Sequence, residues 1–394
     1  IQAMQGLQNA ARSAAQASQR SVTLPQVAVP NGLAPGGLQA AQGWQGANAP
    51  TQAIDATGQT QVGIRQTRAQ AILNWNSFNV GARTTLTFDQ QGNANWVALN
   101  RVVGSTAPSQ ILGNIKADGS VYVINQNGII FGGTSQINVN TLIASTLDLD
   151  PSLTGSNYKA YLQGGLFQSS LPTGVTNGLN AAVFNQGNNG KIVVQPGAVI
   201  DTTGQVTSSG NGGYVALLAD GGISNAGSIT TQNGQIILAS GGAVTLVTPT
   251  ASVVGVKTAM QVLTGRSATP VAGSGVVRNE TTGLLVSNDG AVTLAGGSIS
   301  QLGAIVATTS TTRTGSIALS TLCQLGCGNG TDGNVVLGAT SLTSILPDEA
   351  STTLPTSTVN STTTANGTNG ATAPYFQQVL QPQINISAQG NVDV

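Results

Sequence analysis

The sequence predicts an all-β chain wound as a solenoid, a parallel β-helix. Three observations carry that reading. Glycine is abundant, at 52 of 394 residues. Charged residues are 7% and aromatics 4%. Short apolar runs return at a near-constant interval. Gly beside Asn or Asp marks frequent turns. The hydrophobic 40%, mostly Val, Ile, Leu and Ala, suffices for a long thin core, and the few aromatics argue against a wide one. An ordinary domain carries about 25% charged residues. Here Asn, Gln, Ser and Thr must coat the surface instead.

The interval is clearest after Lys191. GKIVVQPGAVIDTTG, GGYVALLADGGISNAGSITTQ, NGQIILASGGAVTLVT, DGAVTLAGGSISQLGAIVATT, TGSIALSTL and DGNVVLGATSL share one plan. Each opens on Gly beside a small polar residue and runs apolar for four or five positions. Gly190, Gly213 and Gly234 are equivalent, a repeat of about 21–23 residues, which is one coil of a β-solenoid. Three short strands and three turns fill such a rung. Rungs stack at the strand spacing of about 4.8 Å. Stacking buries a continuous column of Val, Ile and Leu and lets Asn or Ser form ladders at the turns.

The rest of the chain divides around this repeat. Residues 1–60 read as an N-terminal extension. Residues 1–24 favour a helix with a weak stripe of Met4, Leu7 and Ala11, marginal by itself. Residues 25–60, with Pro25, Pro30, Pro35, Pro50, Gly36 and Gly37, read as irregular and extended. From Gln61, strands alternate apolar with polar residues, as in TLTFD and VYVIN. We therefore expect a unit at 61–185 and coil repeats over 186–394. The pattern lapses at about 251–282 and at the Ser/Thr/Asn/Pro-rich 343–375, both read as excursions. INISAQGNVDV looks like a further rung, and an uncovered solenoid end suggests a longer parent chain.

Composition also sets what to exclude. Thirteen basic residues balance thirteen acidic ones, so no basic patch points to nucleic acid. No run of 18 apolar residues suggests a membrane helix. Histidine is absent, which removes the commonest general base and metal ligand. Asp201, Asp220, Asp289 and Asp332 are spread singly in turns, and there are only two Glu. Asp148 and Asp150 in STLDLD share one strand face. With Pro151 following, they read as a solvated strand end rather than a glycosidic carboxylate pair. We expect no catalytic residue, metal or cofactor.

Residues 61–150 carry a specific resemblance. AILNWNSFNVG, then WVALNRVVGSTAPSQILGNIKADGSVYVINQNGIIFG, then INVNTLIASTLDL, succeed one another as in the filamentous-haemagglutinin N-terminal domain. This is the secretion domain of two-partner-secretion exoproteins, and the resemblance extends to the adhesin branch. It implies a right-handed β-helix with an N-terminal cap and a small extra-helical sheet. It implies export to the periplasm of a Gram-negative bacterium, then recognition by a dedicated outer-membrane β-barrel transporter, ending secreted or at the cell surface. The family's Asn-Pro-Asn-Gly-Ile turn maps onto Asn125, Gln126, Asn127, Gly128 and Ile129, with Gln126 where the family has Pro. From the residues alone, the same stretch is a type I corner, with Asn bonding its own backbone and Gly closing the turn. Both readings stay open.

Arg65, Arg68, Arg83 and Arg101 lie in the matched block as candidate transporter contacts, or as solvated or locally paired charges. Trp75, Trp96 and Phe78 read as packing rather than a sugar platform. In an exported protein Cys323 and Cys327 would form a local disulfide, the alternative being two free thiols. The functional expectation is a secretion-signal and stalk region of a large adhesin-like exoprotein, with host-cell, glycan or self contacts. The alternatives are a self-assembling fibre or matrix subunit and, last, a β-helical carbohydrate-active enzyme.

Overall fold

The computed structural model describes residues 29–167, 181–204, 212–248, 259–265, 274–310, 313–322, 332–348 and 382–394. The expected helix at 1–24 and the pair Cys323 and Cys327 lie outside them. The chain climbs a three-faced parallel coil. One rung shows the plan. Ser120–Ile124 lies on the first face, Ile129–Phe131 on the second and Gln136–Asn138 on the third. Thr141–Ser145 then returns to the first face, with Thr141 directly against Ser120. Among the described residues the three faces hold ten, eight and ten strands.

The bottom of the coil is closed by antiparallel pieces. Leu38–Ala40 pairs with Gln70–Phe78, and Thr51–Ile54 pairs with Thr60–Arg65. The Trp75 ring is fully buried there, edge-on to Trp44 (4.9 Å) and Phe78 (5.3 Å). Its Nε1 donates to Asn100 Oδ1 at 3.0 Å, a buried partner that a Trp placed inside a core requires. Trp96 is half-buried.

Alternation gives each first-face strand two jobs. Inward residues form the axial column. Val121, Leu142, Val215, Ile236, Val292 and Ile317 lie in successive register and are fully buried. Each such side chain contributes about 1.5–3 kcal/mol by leaving water. Outward residues of the same strands form a second core: Ile72, Leu99, Tyr122, Ile143, Leu218 and Ile237. Its cover comes from two excursions from the coil, one after Thr141–Ser145 and one after Gln235–Ser240. They comprise an antiparallel side sheet of Asp148–Leu149, Ala181–Asn185, Ala243–Val247 and Gln261–Gly265, plus the helix Pro151–Gly164. Pro151 sits at the first helical position, where its missing N–H costs nothing. The Gly165 N–H closes the far end on Tyr161 O at 2.8 Å.

Polar ladders run up the turns. Asn225 Nδ2 donates to Asn279 Oδ1 at 2.8 Å, and Asn279 Nδ2 donates to Gln301 Oε1 at 2.8 Å. All three are fully buried, so each amide satisfies the next. Gln90 Nε2 donates likewise to Gln66 Oε1 at 3.0 Å.

The coil differs from the expected divisions in three places. It crosses residues 185/186 without a change of architecture, because Gln136–Asn138 pairs in parallel with Val199–Asp201. Val276–Asn279, inside the lapse at 251–282, is a second-face strand. Leu342–Pro347, at the start of 343–375, is a third-face strand paired with Ala304–Thr309. Pairing with an already formed rung supplies backbone bonds that composition does not reveal.

Candidate functional site

The stretch Asn125–Ile129 forms the corner between the first and second faces. Val121 and Val123 point into the axial column, which leaves the chain at Asn125 needing a sharp bend. Gly128 N–H donates to Asn125 O at 3.0 Å, closing a four-residue turn. Asn127 N–H donates to Asn125 Oδ1 at 3.0 Å, so the Asn125 side chain braces its own turn. The Asn125 amide nitrogen reaches the rung below, donating to Ala107 O (3.1 Å) and Ser109 Oγ (3.0 Å). Gly128 has φ +123°, and a Cβ there would stand 3.0 Å from Lys191 O. That position therefore admits glycine on both conformational and steric grounds.

The turn also touches the rung above. Gln126 Nε2 donates to Gln186 O, a bond that the family's Pro has no side-chain donor to make. Asn188 Nδ2 approaches Asn127 Oδ1 at 3.4 Å, and Ile129 N–H donates to Lys191 O at 2.9 Å. A Cβ on Gly190 would collide with Gln126 O, so turn and loop are in backbone contact. Asn125 is 1% exposed, while Gln126 and Asn127 are half-buried. Asn125 is therefore the buried brace. Asn127 Nδ2 also donates to Ser105 O at 2.9 Å and to Asn125 Oδ1 at 3.1 Å, so Gln126 and Asn127 are tied by their amide nitrogens and are the partly accessible side chains of the corner.

The four arginines separate. Arg65, Arg68 and Arg83 are exposed. Arg65 Nη1 lies 3.5 Å from Asp89 Oδ2 with both groups largely in water. Arg101 is different. Its Nη2 lies 2.6 Å from Asp148 Oδ2, both side chains mostly buried, and its guanidinium stacks 4.6 Å from the Tyr158 ring centroid. Arg101 thus fastens the excursion to the coil. This also corrects the reading of Asp148 as a solvated strand end, because the pairing partner arrives from 47 residues away. Asp150 accepts from Asn185 Nδ2 at 2.9 Å. The two carboxylates are engaged in holding the side sheet.

Two features escaped the sequence reading. One is the loop Gln186–Lys191 that meets the turn; the paired glycines and asparagines of QGNNGK were its visible signal. The other is a cavity of about 250 Å³ lined by Tyr214, Gln235, Met260, Asp289 and Arg313, between the coil and the side sheet. Burial, and then the neighbouring Asp348 charge, raise the Asp289 carboxyl to about 6. Burial lowers Arg313 from its ordinary value, and the Asp289 charge opposes that shift.

The TPS secretion domain family matches residues 40–392. A heme/hemopexin-binding protein of Haemophilus influenzae is 39% identical over 107 residues, 27% of this chain and 11% of that protein. The heme/hemopexin-binding protein of H. influenzae strain ATCC 51907 / DSM 11121 / KW20 / Rd is 33% identical over 169 residues, 43% of this chain and 16% of that protein. The matched stretches thus cover a small part of these curated relatives. The solved HMW1 secretion domain of H. influenzae aligns with TM-score 0.46 and 20% identity, over 78% of this chain and 73% of that one.

Proposed function

This chain belongs to the TPS secretion domain family, and from that premise we propose that it is the secretion-signal and β-helical stalk region of a large exported exoprotein. A dedicated outer-membrane β-barrel transporter recognises it in the periplasm of a Gram-negative bacterium. The exported whole is an adhesin-like protein at the cell surface or in the medium. The observation that carries this is the family match over residues 40–392 together with a corner turn whose brace is buried and whose Gln126 and Asn127 side chains are partly accessible. Arg65, Arg68 and Arg83 are exposed on the same early rungs and add charge for a first encounter. Arg101 is assigned to the fold instead.

The test is secretion from cells that carry the partner transporter. Replacing both Gln126 and Asn127 by Ala leaves the Asn125 brace in place. The variant also loses the bonds of Gln126 to Gln186 O and of Asn127 to Ser105 O. The expected result is therefore periplasmic accumulation of a chain that still folds by circular dichroism, with a thermal midpoint lowered only slightly. Secretion at the wild-type rate would overturn the reading of this corner.

A second reading is a self-associating fibre subunit. Charged residues are only 7% of the chain, so contact between neighbouring copies meets little charge repulsion. Light scattering decides it: filaments that grow with concentration support it, and a monomer at all concentrations removes it.

A further inference from the structure

The excursion that leaves the coil at Asp148 returns through the loop Gln186–Lys191, directly above the corner turn. Gln186 and Asn189 both adopt positive φ (60° and 54°), a conformation that residues with side chains rarely take unless the surroundings hold them. The holder is Asp220, on the next rung up. Asn189 N–H donates to Asp220 Oδ2 at 2.6 Å. The Thr146 hydroxyl donates to Asp220 Oδ1 at 3.0 Å and accepts the Asp220 N–H at 3.3 Å. Asp220 is 4% exposed, and burial pushes its carboxyl up. Burying a carboxylate among N–H and O–H groups is costly for stability alone. A leucine-filled corner would be the simpler way to close a coil. What the carboxylate does here is fix the height and twist of the loop.

The loop's free side matches the turn's free side. Gln186, Asn188 and Lys191 are exposed, and Asn188 continues the line of Gln126 and Asn127. We propose that the surface read by the transporter is composite: Gln126 and Asn127 from the turn and Asn188 and Lys191 from the loop form one patch, with Asp220 and Thr146 as positioning residues. This rests on the reading of the chain as a transporter-recognised secretion domain. The amide nitrogens of Gln126, Asn127 and Asn188 donate within the chain, so the patch offers amide oxygens beside one ammonium. The periplasmic part of the transporter must meet it with N–H donors for the oxygens and a carboxylate or carbonyl for Lys191. The two halves lie 60 residues apart in sequence, joined by Gln126 on Gln186. The side sheet and helix therefore do more than cover the coil. They deliver the second half of the patch.

The experiment measures binding of the full chain to the transporter's purified periplasmic domain. Asn188→Ala with Lys191→Ala is expected to weaken Kd at least about tenfold with the thermal midpoint unchanged. Asp220→Ala is expected to weaken it similarly, with faster hydrogen exchange confined to 186–191. Asp220→Asn keeps an oxygen for the Asn189 N–H and restores most of the affinity. If the loop pair binds as wild type while Gln126→Ala with Asn127→Ala does not, the composite patch is overturned and the secretion reading stands. If neither pair changes Kd, the corner is not read at all and both fall. Loss of a dimer of this chain in place of loss of transporter binding would overturn the choice of partner.

Discussion

The two cores of this chain share the first-face strands and use them oppositely. Inside, Val121, Leu142, Val215, Ile236, Val292 and Ile317 stack on their counterparts in the neighbouring rung. Outside, Tyr122, Ile143, Ala216 and Ile237 meet a helix and a side sheet instead. The axial core is a sum of like neighbours, so it extends wherever the repeat continues. The outer core closes once, over the early and middle rungs, and depends on segments far apart in sequence. The difference teaches that the coil is the scaffold and the excursions are the specialised part.

Substitutions can break this comparison in order of size. Trp75→Ala removes the largest buried ring and strands Asn100 Oδ1. It should cost about 5 kcal/mol in denaturant titration, with exchange protection falling through the first rungs. Phe184→Ala strikes the outer core. It should cost about 3 kcal/mol, with faster exchange in Ala181–Asn185 and Ala243–Val247 while the axial strands stay protected. Equal loss in both places would mean the two cores are one unit. Arg101→Ala leaves Asp148 mostly buried without its cation. About 2 kcal/mol is expected, and loss of Tyr158 contact should loosen the helix before the side sheet.

A pH titration sharpens the contrast at Asp289, in the turn before Ala291–Gly296, beside the cavity between the coil and the side sheet. Burial and the Asp348 charge raise Asp289 from 3.8 to about 6. A raised folded pKa favours the protonated native state, so this contribution is complete below about pH 4 and is lost as pH rises through 6. The rungs beside this turn should therefore be firmer at pH 5 than at pH 7.5 by hydrogen exchange, and Asp289→Asn should flatten that dependence. A slope unchanged in the variant would remove Asp289 as its source. The smallest effect belongs to Arg65→Ala. Its ion pair with Asp89 is solvent-exposed. Unfolding should shift by less than about 0.5 kcal/mol, and a larger change would show that the exposed arginines do structural work.

The axial core was legible because its signal is local. A rung repeats its Gly and its apolar run within about 21–23 residues, and alternation within VYVIN or QIILAS already says which residues face in. The corner at Asn125–Gly128 was legible for the same reason, since turn chemistry acts over four residues. The helix Pro151–Gly164 was not seen. Its sequence, PSLTGSNYKAYLQG, has two glycines and a weak apolar stripe, so burial of Tyr161 in the outer core rather than propensity stabilises it. Only the Asp150–Pro151 start announced it. Arg101 read as one of four arginines, transporter contacts or solvated or locally paired charges, because nothing near it in sequence names Asp148 or Tyr158.

By itself, then, the sequence determined the coil, its three-strand rung, its polar coat and the turn at Asn125, because stacking repeats and tight turns are decided by neighbours. Only the tertiary structure decided which arginine is committed to the fold, which loop meets the turn and where a buried carboxylate is put to hold it. The path of the excursion brings Gln126 to Gln186 and Arg101 to Asp148 across 60 and 47 residues, and rung stacking with the excursion looped out sets Thr146 beside Asp220 across 74. No short-range pattern encodes such pairings. They exist because the outward face of the coil, once formed, had apolar surface left to cover.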